Sequence, residues 1–254
     1  MDWQLLLLLI PFFFAAAFLY SSVGHGGGSA YLAIMAFVPT LASGTIRSTA
    51  LALNIVVATA GFISYHRAQH FQMRILLPFI IGSIPAAFIG GLKLLSPKMF
   101  GLVLGVTLLL IAARLVFLDK PIEIKTHMSN MTLWMLGPLI GAALGLLAGM
   151  VGVGGGIFLS PLLMFLGLAD AKKTAAISAA FIVVNSISGL VAQMQTAEPD
   201  RKLIMPLAIV VLAGGILGSR LGANRLTNVW LQRLLAAVLL VAGGKLLWQG
   251  IAAH

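Results

Sequence analysis

Apolar residues run along this chain in long blocks separated by short polar connections, the pattern of lipid-spanning helices rather than of amphipathic ones. The blocks fall at 5–23, 28–41, 47–65, 75–95 and 99–117, then at 132–150, 156–169, 174–194, 203–222 and 229–250. The second block of each set holds only 14 residues, about 21 Å of helix against a hydrocarbon core of about 30 Å. Each of these two is expected as a half-helix or a re-entrant arm.

The two sets are related by sequence. Gly24-His25-Gly26-Gly27-Gly28 recurs as Gly152-Val153-Gly154-Gly155-Gly156, an offset of 128 residues (152 minus 24). The same offset carries Gly61 to Gly189, Arg74 to Lys202, Pro78 to Pro206 and Gly90 to Gly218. An odd number of elements per set makes the second set enter from the opposite side. The fold class expected is therefore an all-α membrane protein of two inverted-topology repeats, 1–117 and 132–254, joined by a linker at 118–131. Inverted repeats are the common build of secondary transporters, with alternating exposure arising as one half rocks against the other. Duplication that merely enlarged a structural bundle is the alternative.

Composition agrees with a membrane protein. Of 254 residues 60% are hydrophobic and 9% charged, against about 25% charged in soluble domains. The absence of cysteine excludes disulfides, thiolate metal sites and cysteine nucleophiles, and no cofactor is expected. Met1-Asp2-Trp3-Gln4 lacks the positive region of a cleavable signal, so the first block reads as a retained helix. The net charge of +10 is spread over many loops without a basic stripe, so no nucleic-acid partner is expected. Ten of the sixteen Lys and Arg fall on one side, Arg67 and Arg220 among them, and six on the other, including Arg47 and Lys245. The positive-inside rule makes the first side cytoplasmic and places both termini outside.

All six acidic residues, Asp2, Asp119, Glu123, Asp170, Glu198 and Asp200, fall in expected loops or termini. That argues against a cation substrate, a carboxylate proton relay and the paired acids of hydrolases. Two glycine stripes at spacing four, Gly137, Gly141, Gly145 and Gly149, then Gly214, Gly218 and Gly222, are assigned to close helix packing.

The Gly-rich segments are the candidate site. Adjacent glycines break a helix and free backbone N–H groups at the start of the next one, and irregular backbone at membrane depth is tolerated only around a protein-lined cavity. Two half-helix N-termini meeting near the midplane would hold an anion; a tight packed corner is the plainer reading. The candidate substrate-binding residues are Ser21, Ser22, Gly24, His25, Gly26, Gly27, Gly28, Ser29, Asn54, Gly152, Gly154, Gly155, Gly156 and Asn185, with Tyr31 as a further donor. His25 could bind the anion, carry a proton or simply bond backbone, and Val153 stands at its equivalent position. Asn54 and Asn185 interrupt apolar helices, where polar side chains line a pathway or bond between helices.

At these glycines, and through Ile157-Phe158-Leu159-Ser160-Pro161-Leu162, Arg47 to Asn54, Ser64 to Ala68 and Gly82 to Ala87, the chain resembles the sulfite exporter TauE/SafE family, also called TSUP. The resemblance implies movement of small sulfur-containing anions, sulfite or organosulfonates, across the bacterial cytoplasmic membrane, often outward. The first half departs from the second in having Ala33 where the second has Pro161. Another small anion, a neutral sulfur compound or a non-transporting assembly subunit remain as alternatives, and an intramembrane serine hydrolase built on His25 lacks an acid to orient it. The expected partners are the anionic substrate and membrane lipid, with the oligomeric state open.

Overall fold

The computed structural model describes residues 3–36, 38, 43–92, 105–106, 109, 112–113 and 129–252. Most of the expected block 99–117, the linker up to residue 128 and the ends of the blocks at 28–41 and 75–95 lie outside the described residues. Every regular element among those described is helical: α1 (Trp3–Ser22), α2 (Gly28–Ala36), α3 (Ser43–Arg67), α4 (Met73–Leu92), α5 (Asn130–Val151), α6 (Gly156–Phe165), α7 (Ala171–Gln193), α8 (Arg201–Arg220) and α9 (Asn228–Ala252). A π turn at Leu221–Arg225 extends α8. Five helices are long and apolar enough to cross a membrane, namely α3, α4, α5, α7 and α8 with its π turn.

The two short helices are as short as the block lengths suggest, 9 residues in α2 and 10 in α6. α6 ends earlier than its apolar block because Gly167 takes φ +65° and the Leu168 N–H turns back to the Leu163 carbonyl, a helix-stop geometry that leaves the following apolar residues outside the helix. At the other ends, caps extend helices beyond their apolar blocks. The Asp170 carboxylate accepts from the Lys173 N–H and Asp200 from the N–H groups of Lys202 and Leu203. Lys172, Lys173, Arg201 and Lys202 thus belong to first helical turns rather than to loops.

The glycine stripes set which helices touch. α4 and α5 share the most extensive interface, followed by α1 with α8, α3 with α7 and α4 with α7. A side chain at Gly141, Gly145 or Gly149 would run into the backbone of Phe79, Ser83 or Ala87 on α4. At Gly214, Gly218 or Gly222 it would meet Phe14, Phe18 or Ser22 on α1. Both registers rise together, so α5 runs parallel to α4 and α8 parallel to α1. α3 and α7 run opposite ways, since Gly61 faces Ala179 while Gly189 faces Leu51. Such backbone proximity is how helices associate where lipid offers no hydrophobic drive. The outer face of α5 is correspondingly apolar and bare, with Met131, Met135 and Leu139 at 71%, 69% and 71% exposure, whereas α3 and α7 carry most of the buried polar side chains.

Candidate functional site

Between α1 and α2, and again between α5 and α6, the helix breaks at the Gly-rich segments, and the two breaks match at two glycine positions and differ at a third, where Gly154 takes φ +71° and Gly26 is not left-handed. Gly24 and Gly152, which the offset pairs, take φ +77° and +80°, and Gly27 and Gly155 take φ +93° and +82°. The His25 N–H bonds the Tyr20 carbonyl at 2.8 Å, and its counterpart Val153 N–H bonds the Ala148 carbonyl at 3.3 Å. These left-handed conformations are open to glycine at no steric cost, which is why the motif is glycine at these positions.

Asn54, buried in the middle of α3, ties the two breaks together. Its Oδ1 accepts from the Gly28 N–H at 3.0 Å, capping the start of α2. Its Nδ2 donates to the Val153 carbonyl at 3.3 Å and to Ser186 Oγ on α7 at 3.0 Å. One side chain therefore touches the first break, the second break and the helix antiparallel to its own. Gly26, Gly28 and Gly154 pack directly around it, so these glycines admit the asparagine as well as bend the chain.

His25, in the first break, reaches across to the helix that follows the second. Its Nε2 is 2.8 Å from Ser160 Oγ, one turn into α6, and Ser160 Oγ donates to Ser178 Oγ on α7 at 2.7 Å. With the Ser160 proton so directed, Nε2 carries the hydrogen and Nδ1 is left as an acceptor without a partner. Gly155 has no side chain to cap the start of α6; the Phe158 N–H turns back to the Gly155 carbonyl at 3.0 Å, which leaves the Gly156 and Ile157 N–H groups as the donors of that turn, where the Gly28 N–H of α2 is taken by Asn54.

The other expected site residues divide. Ser29 Oγ reaches Tyr20 OH at 3.3 Å at the start of α2. Ser21 donates to the Gly215 carbonyl at 2.9 Å and Ser22 to the Leu19 carbonyl at 2.7 Å, which places both hydroxyls in helix packing. Asn185 spends its amide on Phe181 of its own helix at 2.8 Å, while its Oδ1 is buried without a partner. Tyr31 stacks on Phe13 at 5.1 Å and its hydroxyl is likewise unpartnered.

Four residues at the junction carry no signal strong enough to be singled out by pattern: Tyr20, Ser160, Ser186 and Lys245. Lys245, from α9, donates to the Ser29 carbonyl at 3.2 Å, bringing a cation to the first turn of α2. Among the described residues no group of three His, Asp or Glu could hold a metal ion.

Long apolar helices packed through glycine, with two broken helices meeting at a buried polar junction, mark a multi-pass membrane protein with a build that secondary transporters use. The family model described as Sulfite exporter TauE/SafE matches residues 9–246, and the chain belongs to that family. It is similar to "Probable membrane transporter protein y4hK" of Sinorhizobium fredii, 33% identical over 98% of this chain and 100% of that one. It is also similar to "Probable membrane transporter protein YunE" of Bacillus subtilis, 25% identical over 91% of this chain and 93% of the other. No solved structure matches the chain.

Proposed function

We propose that this transporter exports a small sulfur-containing oxyanion, sulfite or an organosulfonate, across the bacterial cytoplasmic membrane, as a carrier and not as an enzyme. The observation that carries the reading is the junction itself: two helix starts held side by side by Asn54, with the uncapped start of α6 flanked by His25. An uncapped helix N-terminus offers N–H donors and partial positive charge to an oxyanion. His25 Nδ1 and Asn185 Oδ1, buried acceptors without partners, suit a substrate that arrives protonated or with its own donors. The antiparallel course of α3 and α7 supports an inverted repeat, and the cation-rich side bearing Arg67 and Arg220 is then the cytoplasmic one.

The contact between His25 and Ser160 resembles half of a hydrolytic triad, but its wiring points elsewhere. A nucleophilic serine gives its proton to the histidine, whose other nitrogen is held by an acid; here Ser160 donates to Ser178 and Nδ1 has no partner.

Proteoliposomes loaded with the purified chain test the proposal, using radiolabelled sulfite, a two-carbon sulfonate and sulfate, with and without a pH gradient. Saturable movement of sulfite or the sulfonate in preference to sulfate is expected. His25→Ala should slow it roughly tenfold or more, the cost of a lost hydrogen bond to a charged group, and should remove its dependence on the gradient. Movement of sulfate alone would replace the substrate assignment, and no movement of any anion would leave the assembly-subunit reading in its place.

A further inference from the structure

A cavity of about 370 Å³ lies between α3 and α8, and none of its lining residues belongs to the junction of the Gly breaks. One end is cationic. Arg67 and Arg220, the last residues of their helices, both line it, and the π turn adds Asn224, whose amide bonds the Arg220 carbonyl at 3.1 Å. Towards the middle of the helices the wall turns apolar, formed by Val56, Ile63, Leu212 and Ile216. Ile63 and Leu212 are 43% and 39% exposed, so this wall is open to the outside of the bundle.

Neither arginine has an acidic partner among the described residues, where the one ion pair is Lys173 with Asp170. Helix packing does not require them either. The offset of 128 sets Gln195 against Arg67, Leu92 against Arg220 and the bulkier Phe88 against Ile216, yet α7 and α4 pack on each other as α3 and α8 do. The two cations and the open groove are thus a property of the α3–α8 interface that its counterpart between α4 and α7 lacks.

We propose that this cleft is a binding site for an anionic phospholipid. The phosphate sits between the Arg67 and Arg220 guanidinium groups, which match phosphate oxygens in a forked geometry, and Asn224 donates to the headgroup. An acyl chain follows the groove past Ile63 and Leu212 toward Val56. A free oxyanion would use the arginines but gain nothing from an oily wall, whereas a phospholipid satisfies both ends. Basic pockets between transmembrane helices hold anionic headgroups in this manner. A bound lipid would also bridge the C-terminal ends of a helix from each half.

The test is lipid retention by the full-length chain purified in detergent, read by native mass spectrometry after exposure to equal amounts of phosphatidylglycerol or phosphatidylcholine. Selective retention of phosphatidylglycerol is expected. Arg67→Gln and Arg220→Gln should each weaken it roughly fivefold and together roughly 25-fold, from the contribution of one basic residue to binding anionic lipid. Arg201→Gln, a basic residue at the other end of α8, should leave it unchanged. Ile216→Phe, which installs the bulk that Phe88 supplies at the equivalent position of the first half, should also reduce retention without removing charge. Equal retention of the two lipids overturns the proposal, as does wild-type retention by the double variant or by Ile216→Phe. Displacement of the lipid by water-soluble glycerol phosphate at the same concentration overturns it too, by assigning the arginines to a free oxyanion.

Discussion

Asn54→Leu is expected to abolish transport and to destabilise the fold by about 2–5 kcal/mol, because it strands several buried polar groups at about 1–3 kcal/mol each, partly offset by local rearrangement. The groups stranded are the Gly28 N–H, the Val153 carbonyl and the Ser186 hydroxyl, on three different elements. Leucine has a similar size, so the loss would come from hydrogen bonding rather than from a void. Asn185→Leu is the matched control for stability alone, since its Oδ1 is an acceptor offered to the substrate. Its amide bonds only the carbonyl one turn back on its own helix, so its stability should change by less than about 1 kcal/mol, the range of a single intramembrane hydrogen bond. Flux in proteoliposomes paired with thermal melting in detergent separates the two effects. Wild-type flux in Asn54→Leu would show that the breaks are positioned by something other than this side chain.

A second large effect is expected from glycines that differ only in where they sit. Gly24→Ala forces an L side chain into φ +77° and drives its Cβ into the Ala175 backbone of α7. Strain of about 1–3 kcal/mol and overpacking of a similar size add to roughly 3–5 kcal/mol, enough to lose most folded protein. Gly244→Ala, in α9, places its Cβ where no atom lies within 4 Å, and should gain about 0.5–1 kcal/mol from the lower chain entropy of alanine in a helix. Yield of monodisperse protein and melting temperature report both. A tolerated Gly24→Ala would mean that the first break can shift away from α7.

Much of the architecture is legible in the chain because lipid imposes simple demands: apolar blocks of spanning length, glycine where backbones approach, and a constant offset between duplicated breaks. Helix ends are less legible. Hydropathy stops at a lysine, whereas the structure continues through Lys172 and Lys202 because Asp170 and Asp200 satisfy the free N–H groups and offset the cations. In the site, glycine adjacency marks the breaks and an isolated asparagine in an apolar run marks Asn54. The partners do not show. Ser160 is 135 residues from His25 and Ser186 is 132 from Asn54, and a serine in an apolar helix looks the same in sequence whether it bonds its own carbonyl or a distant ring. Lys245 reads as a charge near a helix end, yet it folds back onto Ser29.

The pairing of α1 with α8 and of α4 with α5 bears on how such a molecule can move. The glycine contacts fasten a helix from the first 117 residues to one from beyond residue 129 in each pair, with backbone against backbone. These two stretches of chain are therefore clasped like two hands, and neither can swing away without opening two zippers at once. The natural parting line follows the clasped pairs instead: α1 with α8 forms one plate and α4 with α5 another. The antiparallel α3 and α7 lie between them as the sliding surface on which Asn54 and Ser186 sit. A cycle of access would then be a slip of one composite plate past the other along α3 and α7, with the two glycine-packed pairs remaining closed throughout.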